Sequence, residues 1–430
     1  MIFRREKYLN KIYASLAKEK LVLLLWTRQV GKTTLLQILQ KELKGNSYYY
    51  SFEDDFSKIE FTTKTDFIAY FTLSLGVDFK NEGTFLIDEF QYVKDGEKIL
   101  KSLYDDPEIR LKFVVTGSGL WTYGTDNIGT LVGRWDEILI YSFDFFEFLE
   151  AKWLAVQNLE WSAISSSIQT LITPYFHEYL TFGGYPWVIF AETRTEKIGE
   201  LEKIINRYIE RDISFFLSKN KLIDFKKFFV YLHSQIGNLL KKEAIGEYLG
   251  IKTRYIEEFL FILEKTLFIS RVYPFFTDKS KEYSALPKFY FSDVGVLNFI
   301  EKSFDYRENN GKIVENFVYN ELEKNKKFGS DSIKIYKKLS KSEIDFIYDG
   351  LDACIPIEVK SGNTQAIPKI FYSFEEEYSK KTTAYILTSG LYSEKRVIEW
   401  KTLSIVPNWY IGKFITSLYW EIQTLYNTTK

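Results

Sequence analysis

The chain is poor in the residues that build disulfide frameworks and zinc sites. Its 430 residues contain one cysteine, Cys354, and two histidines, His177 and His233. A single cysteine excludes an internal disulfide framework, and these three residues are too few for a Cys/His zinc site. A lone cysteine also suits the reducing interior of a cell. The sequence therefore predicts neither a disulfide-rich secreted domain nor a zinc-binding domain.

Long apolar runs are missing as well. No stretch of about 18 consecutive apolar residues is present, so the sequence predicts no membrane-spanning helix. The first residues, MIFRREKYLNKIY, lack the apolar segment and the small-residue cleavage site of a secretory signal. We therefore expect a cytoplasmic protein without a membrane partner.

The residues that are present suit a globular protein of two or three domains. Hydrophobic residues make up 46% of the chain, charged residues 27% and aromatic residues 18%. This composition supplies enough apolar material for sizeable cores. The formal net charge is −1, so a surface for nucleic acid would have to be local rather than a property of the whole chain.

Changes in sequence pattern divide the chain into four predicted domains. Residues 1–150 alternate short apolar runs with helix-like stretches, which predicts a parallel α/β sheet covered by helices. Residues 151–220 have the pattern of a helical lid or linker. Residues 221–300 combine helix-like segments with apolar strands, and residues 301–430 return to α/β alternation.

The clearest motif is WTRQVGKTTLL at 26–36, which lies between an apolar strand and an amphipathic helix. This context is the one that a phosphate-binding loop requires, because backbone N–H groups at a helix N-terminus attract phosphate. Gly31 permits close approach of the backbone, Lys32 neutralises the phosphates, and Thr33 offers a hydroxyl to Mg²⁺. The predicted nucleotide-binding residues of the loop are Arg28, Gln29, Val30, Gly31, Lys32, Thr33 and Thr34.

One position departs from the phosphate-loop pattern. Trp26 stands where the motif G-x-x-x-x-G-K-[ST] has its first glycine. Tryptophan lacks the conformational freedom of glycine at a turn from strand to loop. Natural drift, a silencing change and a misread codon are three explanations that the sequence leaves open. Because the rest of the loop is intact, the interpretation as an ATP site stands.

A second element of a nucleotide site is TFLIDEFQYV at 84–93. An apolar strand that ends in Asp88 and Glu89 can place one carboxylate near Mg²⁺ and the other near the attacking water. We therefore predict that Asp88 binds the metal and that Glu89 is the catalytic base. A buried strand followed by two acids is common, but its distance after a phosphate loop favours the functional interpretation.

Two further polar positions are candidates for the same site. The apolar strand KFVVTGSG at 112–119 ends in Thr116 and Ser118, which could sense the γ-phosphate or orient water. An ordinary turn is the alternative. Arg134, which precedes the next strand, could reach a neighbouring subunit's nucleotide as an arginine finger, and this hypothesis implies a homo-oligomer. A plain surface arginine is the alternative.

These motifs together resemble those of bacterial and archaeal AAA+ ATPases that carry a DUF4143-type C-terminal region. The resemblance rests on WTRQVGKTT, FLIDEFQ, VTGSG, LVGR and SFDFFEFL, and also on FGGYP (182–186) and RYIERDI (207–213). It spans nearly the whole chain. It implies ATP binding and a chain of several domains, but it implies no particular substrate.

The segment KKEAIGEYLGIKTRYIEEFLFILEKTLFISRV at 241–272 has the pattern of a winged helix-turn-helix. The second helix of such a unit reads the major groove, and Lys252, Arg254 and Tyr255 lie at its predicted start. Residues 219–281 contain twelve Lys and Arg against seven Asp and Glu, which favours contact with double-stranded DNA. Glu257 and Glu258 argue against it, since they would repel DNA. A protein partner is the alternative.

The segment SEIDFIYDGLDACIPIEVKSG at 342–362 predicts two strands joined by a turn. Asp345 on one strand and Glu358 and Lys360 on the other would share a sheet edge, where they could hold Mg²⁺ and a phosphodiester. The arrangement resembles the PD-(D/E)XK nuclease superfamily. In that superfamily a preceding helix often adds a metal-binding glutamate, and Glu315 occupies the matching position. Such domains can also bind DNA without cutting it.

The sequence thus predicts a Mg²⁺-dependent AAA+ ATPase with an α/β P-loop core, a helical lid, a winged helix-turn-helix and a PD-(D/E)XK-like domain. Lys32 and Glu89 are its candidate catalytic residues for ATP, and Glu358 and Lys360 those for a phosphodiester. ATP-controlled engagement of DNA, with cleavage or remodelling, is the preferred function. The alternative is a nucleotide-gated sensor, scaffold or transcription-type regulator whose nuclease-like domain is silent.

Overall fold

The computed structural model describes most of the chain as two compact units. The described residues are 3–26, 29–43, 45–53, 60–117, 135–276, 278–305, 310–327, 329–338, 342–350, 353–362, 366–379, 381–390, 394–398 and 401–418. One unit comprises residues 1–141 with 265–267, and the other comprises 142–264 with 268–430. None of the helices within the described ranges is long and apolar enough to cross a bilayer.

The first unit is a parallel sheet with four helices in its described part. Its elements are α1 (Glu6–Leu16), β1 (Leu21–Trp26), α2 (Lys32–Glu42), β2 (Asn46–Ser51), α3 (Lys64–Leu75), β3 (Gly83–Asp88), α4 (Gly96–Tyr104), β4 (Leu111–Gly117) and β5 (Asp136–Ile140). The strands lie in the order β2-β3-β4-β1-β5, and every neighbouring pair is parallel. The predicted α/β core with a parallel sheet is therefore confirmed.

The apolar runs of the central strands explain the position of this sheet. β1, β3 and β4 are buried along almost their whole length, as expected for parallel strands with both faces covered. Phenylalanines from α3 and β3, including Phe71 and Phe85, form much of the core on one face. Because these strands are parallel, their carboxyl ends meet at one edge of the sheet. Asp88 and Thr116 lie at that edge.

The second unit begins with a helical region that contains a two-stranded sheet. Its elements are α5 (Phe145–Ala151), α6 (Ser166–Phe182), α7 (Pro186–Phe190), α8 (Arg194–Arg207), α9 (Ser214–Phe216), α10 (Lys219–Leu232), α11 (Lys242–Leu249), α12 (Thr253–Lys265), β6 (Ile269–Val272), α13 (Lys279–Ser284), β7 (Lys288–Phe291) and α14 (Val294–Glu301). A π-helical turn, Tyr208–Ile213, joins α8 to α9. Strands β6 and β7 pair antiparallel.

A mixed sheet completes the second unit. Its elements are α15 (Gly311–Lys324), β8 (Ser332–Lys337), β9 (Glu343–Asp349), β10 (Cys354–Glu358), α16 (Lys369–Tyr378), β11 (Tyr385–Ser389), β12 (Glu394–Ile398) and β13 (Lys401–Pro407). The strand order is β12-β13-β11-β10-β9-β8. β10 pairs antiparallel with β9 and parallel with β11, so it lies inside the sheet with both faces covered. The segment after β6 also bonds to β8, since Phe275 N donates to Ile335 O at 2.6 Å.

A buried ammonium group organises the start of the second unit. Lys324, at the end of α15, is only 4% exposed. Its Nζ donates to Ser142 Oγ and Phe143 O, each at 3.0 Å, and to Tyr179 OH at 3.1 Å. All three protons of the ammonium group therefore have acceptors in α6 and in the segment that precedes α5.

Asp293 lies in the same network and explains the two glycines of FGGYP. Its Oδ2 accepts from Ser142 Oγ and from Gly184 N, each at 2.8 Å. A Cβ on Gly183 would lie 1.8 Å from Asp293 Oδ1, and one on Gly184 would lie 2.2 Å from Phe143 O. The backbone approaches these groups so closely that a side chain cannot fit, and Gly183 also has a φ of +76°.

Candidate nucleotide site and acidic site

The phosphate loop has the backbone shape that its glycine predicts. Gly31 has a φ of 90°, a left-handed conformation that glycine adopts without strain, and α2 begins at the next residue. Gln29 is also left-handed, with a φ of 62°. The side chain of Val30 is buried. The loop therefore directs the N-terminus of α2 toward the edge of the sheet where β3 and β4 end, which is the arrangement that attracts phosphate.

Asp88 is the centre of the polar contacts at this edge. It is 2% exposed. Its Oδ2 accepts from Thr33 Oγ1 at 3.1 Å and from Tyr49 OH at 3.4 Å, and its Oδ1 accepts from Thr116 Oγ1 at 2.5 Å. Helix α2 and strands β2, β3 and β4 thus each bring a polar side chain to one point.

Glu89 and Lys32 form an ion pair beside Asp88. Both side chains are largely buried, with 5% of Glu89 and 14% of Lys32 exposed. Gln91 Nε2 donates to Glu89 Oε2, and Glu89 N donates to Thr116 Oγ1 at 2.9 Å. Glu89 has a φ of 56°, an uncommon left-handed conformation for a glutamate. Backbone strain of this kind often occurs at functional sites.

The structure brings together most of the residues predicted for the nucleotide. Lys32, Thr33, Asp88, Glu89 and Thr116 are joined directly by the contacts above. The predicted residues Gln29, Val30, Gly31 and Thr34 lie in the loop and the first turn of α2. The predicted residues Arg28, Ser118 and Arg134 lie outside the described residues. Trp26 is the last residue of β1, and its backbone pairs with that of Ile140 in β5.

Two residues near this site were not predicted from the sequence. Arg5 is 4% exposed, and its Nη1 donates to Val30 O at 3.3 Å and to Tyr141 O at 2.7 Å, which ties the phosphate loop to the end of β5. Tyr49 reaches Asp88 from β2, and burial together with the charge of Asp88 raises the pKa of Tyr49 to about 12. Neither residue belongs to a recognisable motif, so the sequence offered no signal for them.

The acidic site of the second unit lies at the ends of β9 and β10. Asp345 Oδ2 accepts from Val359 N at 2.8 Å, which places this carboxylate beside the end of β10. Lys360 Nζ donates to Glu358 Oε1 at 2.7 Å. Glu358 is 8% exposed, and its Oε2 is buried without a hydrogen-bond partner among the described residues. Asp345, Glu358 and Lys360 therefore form one cluster, in which one buried carboxylate oxygen has no protein donor.

Burial and mutual repulsion perturb the carboxylates of this cluster. Burial, assisted by the charges of Glu358 and Glu315, raises the pKa of Asp345 to about 8. Burial also raises the pKa of Glu358, although Lys360 opposes the shift. Two carboxylates that cannot both be charged at low cost favour a bound cation between them.

Glu315 is held by a different set of contacts. Its Oε1 accepts from Tyr290 OH at 2.6 Å and lies 3.5 Å from Lys288 Nζ. Lys288 also lies 3.2 Å from Glu343 Oε1. No three His, Cys, Asp or Glu side chains of the described chain are arranged to hold a metal ion together. The structure thus places Asp345 beside the end of β10, where Glu358 lies, but directs Glu315 toward Lys288, a residue that was not predicted.

The candidate helix-turn-helix has its acids paired with lysines. Glu258 pairs with Lys221 at 2.7 Å, and Glu257 pairs with Lys242. The guanidinium of Arg254 lies 4.8 Å from the centre of the Tyr255 ring. The two glutamates were expected to repel DNA, but their charges are compensated by residues of α10 and α11.

The fold and the first site define a P-loop ATPase core of the AAA kind. The AAA domain family model matches residues 18–149. The models of two domains of unknown function, DUF8612 and DUF4143, match residues 173–306 and 310–407. The chain thus combines an AAA domain, which implies nucleotide binding, with a C-terminal DUF4143 region, and this part of the predicted resemblance is confirmed.

The chain has similar proteins in archaea and bacteria. An uncharacterized protein of Methanocaldococcus jannaschii is 25% identical over 371 residues, which cover 81% of this chain and 77% of that protein. An uncharacterized protein of Haemophilus influenzae is 26% identical over 336 residues, which cover 76% of each. The solved structure of a Walker-type ATPase of Pyrococcus abyssi matches with a TM-score of 0.47 and 19% identity, covering 70% of this chain and 96% of that one.

Proposed function

We propose that the protein hydrolyses ATP with Mg²⁺ and couples its nucleotide state to the engagement of double-stranded DNA by the second unit. The observation that supports the ATPase activity best is the contact set around Asp88. Thr33 at the start of α2 and Thr116 at the end of β4 both bond to this carboxylate. The groups that we propose to bind phosphate, to bind the metal and to activate water therefore lie within one small volume, as phosphoryl transfer requires.

The residues present fit Mg²⁺ at this edge of the sheet. Thr33 Oγ1 and Asp88 Oδ2 are two oxygen atoms 3.1 Å apart, and Mg²⁺ prefers oxygen ligands from a few side chains together with phosphate. When bound, the ion would neutralise charge on the phosphates. Lys32 would bind the phosphates from the start of α2, while Tyr49 and Thr116 hold Asp88 in position.

The pair formed by Lys32 and Glu89 suggests how phosphate activates the site. In the pair, Lys32 holds a carboxylate that ATP hydrolysis would use as a base. A γ-phosphate competes for the same ammonium group, and its arrival would release Glu89 to accept a proton from water. Glu89 would therefore be unable to act as a base until a nucleotide is bound.

For DNA, we propose contact through the start of α12. Lys252 and Arg254 are exposed there, and the acids further along the helix are paired with lysines. Helix α12 follows α11 after a short turn, which is the arrangement of a recognition helix. Phosphate contacts from lysine and arginine supply most of the affinity of such modules.

We expect the double variant Lys252→Ala/Arg254→Ala to bind duplex DNA about tenfold more weakly or worse, because two cations that contact phosphate are lost. The slope of log affinity against log salt should fall by about two in magnitude. Fluorescence anisotropy with a labelled duplex, with and without ATP, measures both quantities. Lys203→Ala, which removes an exposed lysine of α8, is the matched control and should bind like the native chain.

A native chain that binds no duplex DNA in either nucleotide state would contradict this part of the proposal. In that case, the basic surface at the start of α12 would serve a protein partner. The ATPase part of the proposal would be unaffected, because its residues belong to the first unit.

For the acidic site, we propose that Asp345 and Glu358 hold a divalent cation against a DNA phosphodiester. The unpartnered Oε2 of Glu358 supports this, since a buried carboxylate oxygen is costly without a partner. Mg²⁺ commonly uses one or two carboxylates and completes its shell with water and substrate phosphate. Lys360 would then help to neutralise the phosphodiester, as a PD-(D/E)XK-like site requires.

We expect Asp345→Asn to abolish the nicking of supercoiled plasmid by the native chain in Mg²⁺, because a ligand of the cation is lost. Gel electrophoresis of plasmid, run beside an ATPase assay, measures both activities. Glu376→Gln, which changes an exposed carboxylate of α16, is the matched control and should nick like the native chain. If ATP is hydrolysed and native protein leaves the plasmid intact, the acidic site is a binding module and the nucleotide-gated regulator replaces the nuclease.

A further inference from the structure

Lys288 contributes a buried ammonium group to the acidic site from outside the mixed sheet. It begins β7, within the candidate winged helix, and is 3% exposed. Its Nζ lies 3.2 Å from Glu343 Oε1 and 3.5 Å from Glu315 Oε1. One cation thus bridges two carboxylates that come from different elements, α15 and β9.

An ammonium group between two carboxylates has the sign of charge that a metal ion would supply in that position. Sites that process phosphodiesters often use two metal ions about 3.5–4 Å apart, which requires carboxylates on both sides. Here the carboxylates of Glu315 and Glu343 flank an ammonium group instead. Tyr290 OH also donates to Glu315 Oε1 at 2.6 Å. The second half of the cluster is therefore already supplied with a positive charge and a hydrogen bond.

The carboxylates of the cluster outnumber its ammonium groups, and one divalent ion would balance the excess negative charge. Its carboxylates are those of Glu315, Glu343, Asp345 and Glu358, and its ammonium groups are those of Lys288 and Lys360. With all four carboxylates ionised, as a bound cation would keep them, two negative charges remain. Lys337 lies 3.8 Å from Glu343 Oε2, beyond hydrogen-bond distance, whereas Lys360 Nζ donates to Glu358 Oε1 at 2.7 Å, so Lys337 is not counted with the cluster. The unpartnered Oε2 of Glu358 marks the place where the compensation is missing.

We infer that the ammonium group of Lys288 permanently takes the place of a second metal ion. The acidic site then binds a single divalent cation, at Asp345 and Glu358, and the inference rests on that proposed cation site. Lys288 belongs to the same strand pair that follows α12. A residue of the DNA-facing region thus becomes part of the phosphodiester site. Burial lowers the pKa of Lys288, but the carboxylates of Glu315, Glu343 and Asp345 outweigh this effect and raise it, so the group stays charged.

The inference is tested by counting bound Mn²⁺ ions in the full-length chain without nucleotide. The variant Asp88→Asn is the background, so that the nucleotide site contributes no ion. Isothermal titration and electron paramagnetic resonance of free Mn²⁺ give the number bound. We expect one ion in this background, two when Lys288→Met is added, and none when Glu358→Gln is added instead. Lys288→Arg keeps the positive charge and should bind one ion.

The possible outcomes separate the inference from the proposal on which it rests. The inference would be overturned if the background chain and the Lys288→Met variant each bound one Mn²⁺ ion with the same affinity. The proposal of a single cation site at Asp345 and Glu358 would still hold. No ion in the background chain would overturn both. If Lys288→Met unfolds without metal, Mn²⁺ should restore its thermal transition at constant ionic strength. A variant that stays unfolded with Mn²⁺ would also overturn the inference.

Discussion

Glu89→Gln is expected to lower the rate of ATP hydrolysis by about a hundredfold or more, while ATP binds at least as tightly as it does to the native chain. The glutamine keeps the size of the side chain but cannot accept a proton, and general base catalysis typically contributes about 10²–10⁴-fold. The variant also loses the charge that holds Lys32 in the ion pair and competes with the γ-phosphate, so ATP binding should not weaken. Release of inorganic phosphate gives the rate, and equilibrium titration with a fluorescent ATP analogue gives the affinity.

Lys32→Ala should behave differently, because Lys32 would bind the phosphates in both the ground state and the transition state. We expect it to lose ATP affinity as well as turnover, a pattern that distinguishes binding from base catalysis. Lys98→Ala in α4 removes an exposed lysine of the same unit and is the matched control. Hydrolysis at the native rate by Glu89→Gln would show that another group activates water, and the role of Glu89 would have to be withdrawn.

Much of the nucleotide site could be predicted because its residues belong to local patterns. Gly31, Lys32 and Thr33 follow an apolar strand, and Asp88 ends another. Parallel strands bring their carboxyl ends to one edge, so the meeting of Thr33 with Asp88 follows from the fold class. The contact of Arg5 with the carbonyl of Val30 could not be predicted, since a backbone acceptor leaves no trace in the sequence.

The acidic site shows where sequence reasoning reaches its limit. The hairpin of β9 and β10 is a local feature, and it places Asp345 beside the backbone of Val359 as its pattern suggests. Lys288 lies on a separate strand pair, and only tertiary packing brings it to Glu315 and Glu343. A single lysine at the start of a strand has no distinguishing spacing. The role of Glu315 as a direct metal ligand was inferred from position along α15 and remains a prediction.

The same limit applies to the acids of α12. On a helix surface, two adjacent glutamates suggest repulsion of DNA. Their partners Lys221 and Lys242 lie 37 and 15 residues away along the chain. Charge compensation at such distances depends on how α10 and α11 pack beside α12, which the local pattern does not encode.

Lys324→Met is expected to destabilise the second unit by about 3–5 kcal/mol, because it leaves Phe143 O and Tyr179 OH without this donor and removes a buried positive charge near Asp293 and Glu321. Burial lowers the pKa of Lys324, while Asp293 and Glu321 oppose the shift, so the ammonium group and these carboxylates depend on each other. Urea denaturation followed by tryptophan fluorescence measures the free energy of unfolding. Lys203→Met is the matched control, since this lysine is 59% exposed and its loss should cost less than about 0.5 kcal/mol.

A double-mutant cycle with Asp293→Asn shows whether the charges act as a unit. Each single variant leaves the other charge buried without the opposite charge near it, whereas the double variant removes both charges. The double variant should therefore be more stable than the sum of the single effects predicts, by about 1–3 kcal/mol. Asparagine keeps an acceptor for Gly295 N, which now donates to Asp293 Oδ1 at 2.8 Å. Additive effects would show that Lys324 stabilises the unit through its own hydrogen bonds to Ser142 Oγ, Phe143 O and Tyr179 OH, and that the carboxylate is independent of it.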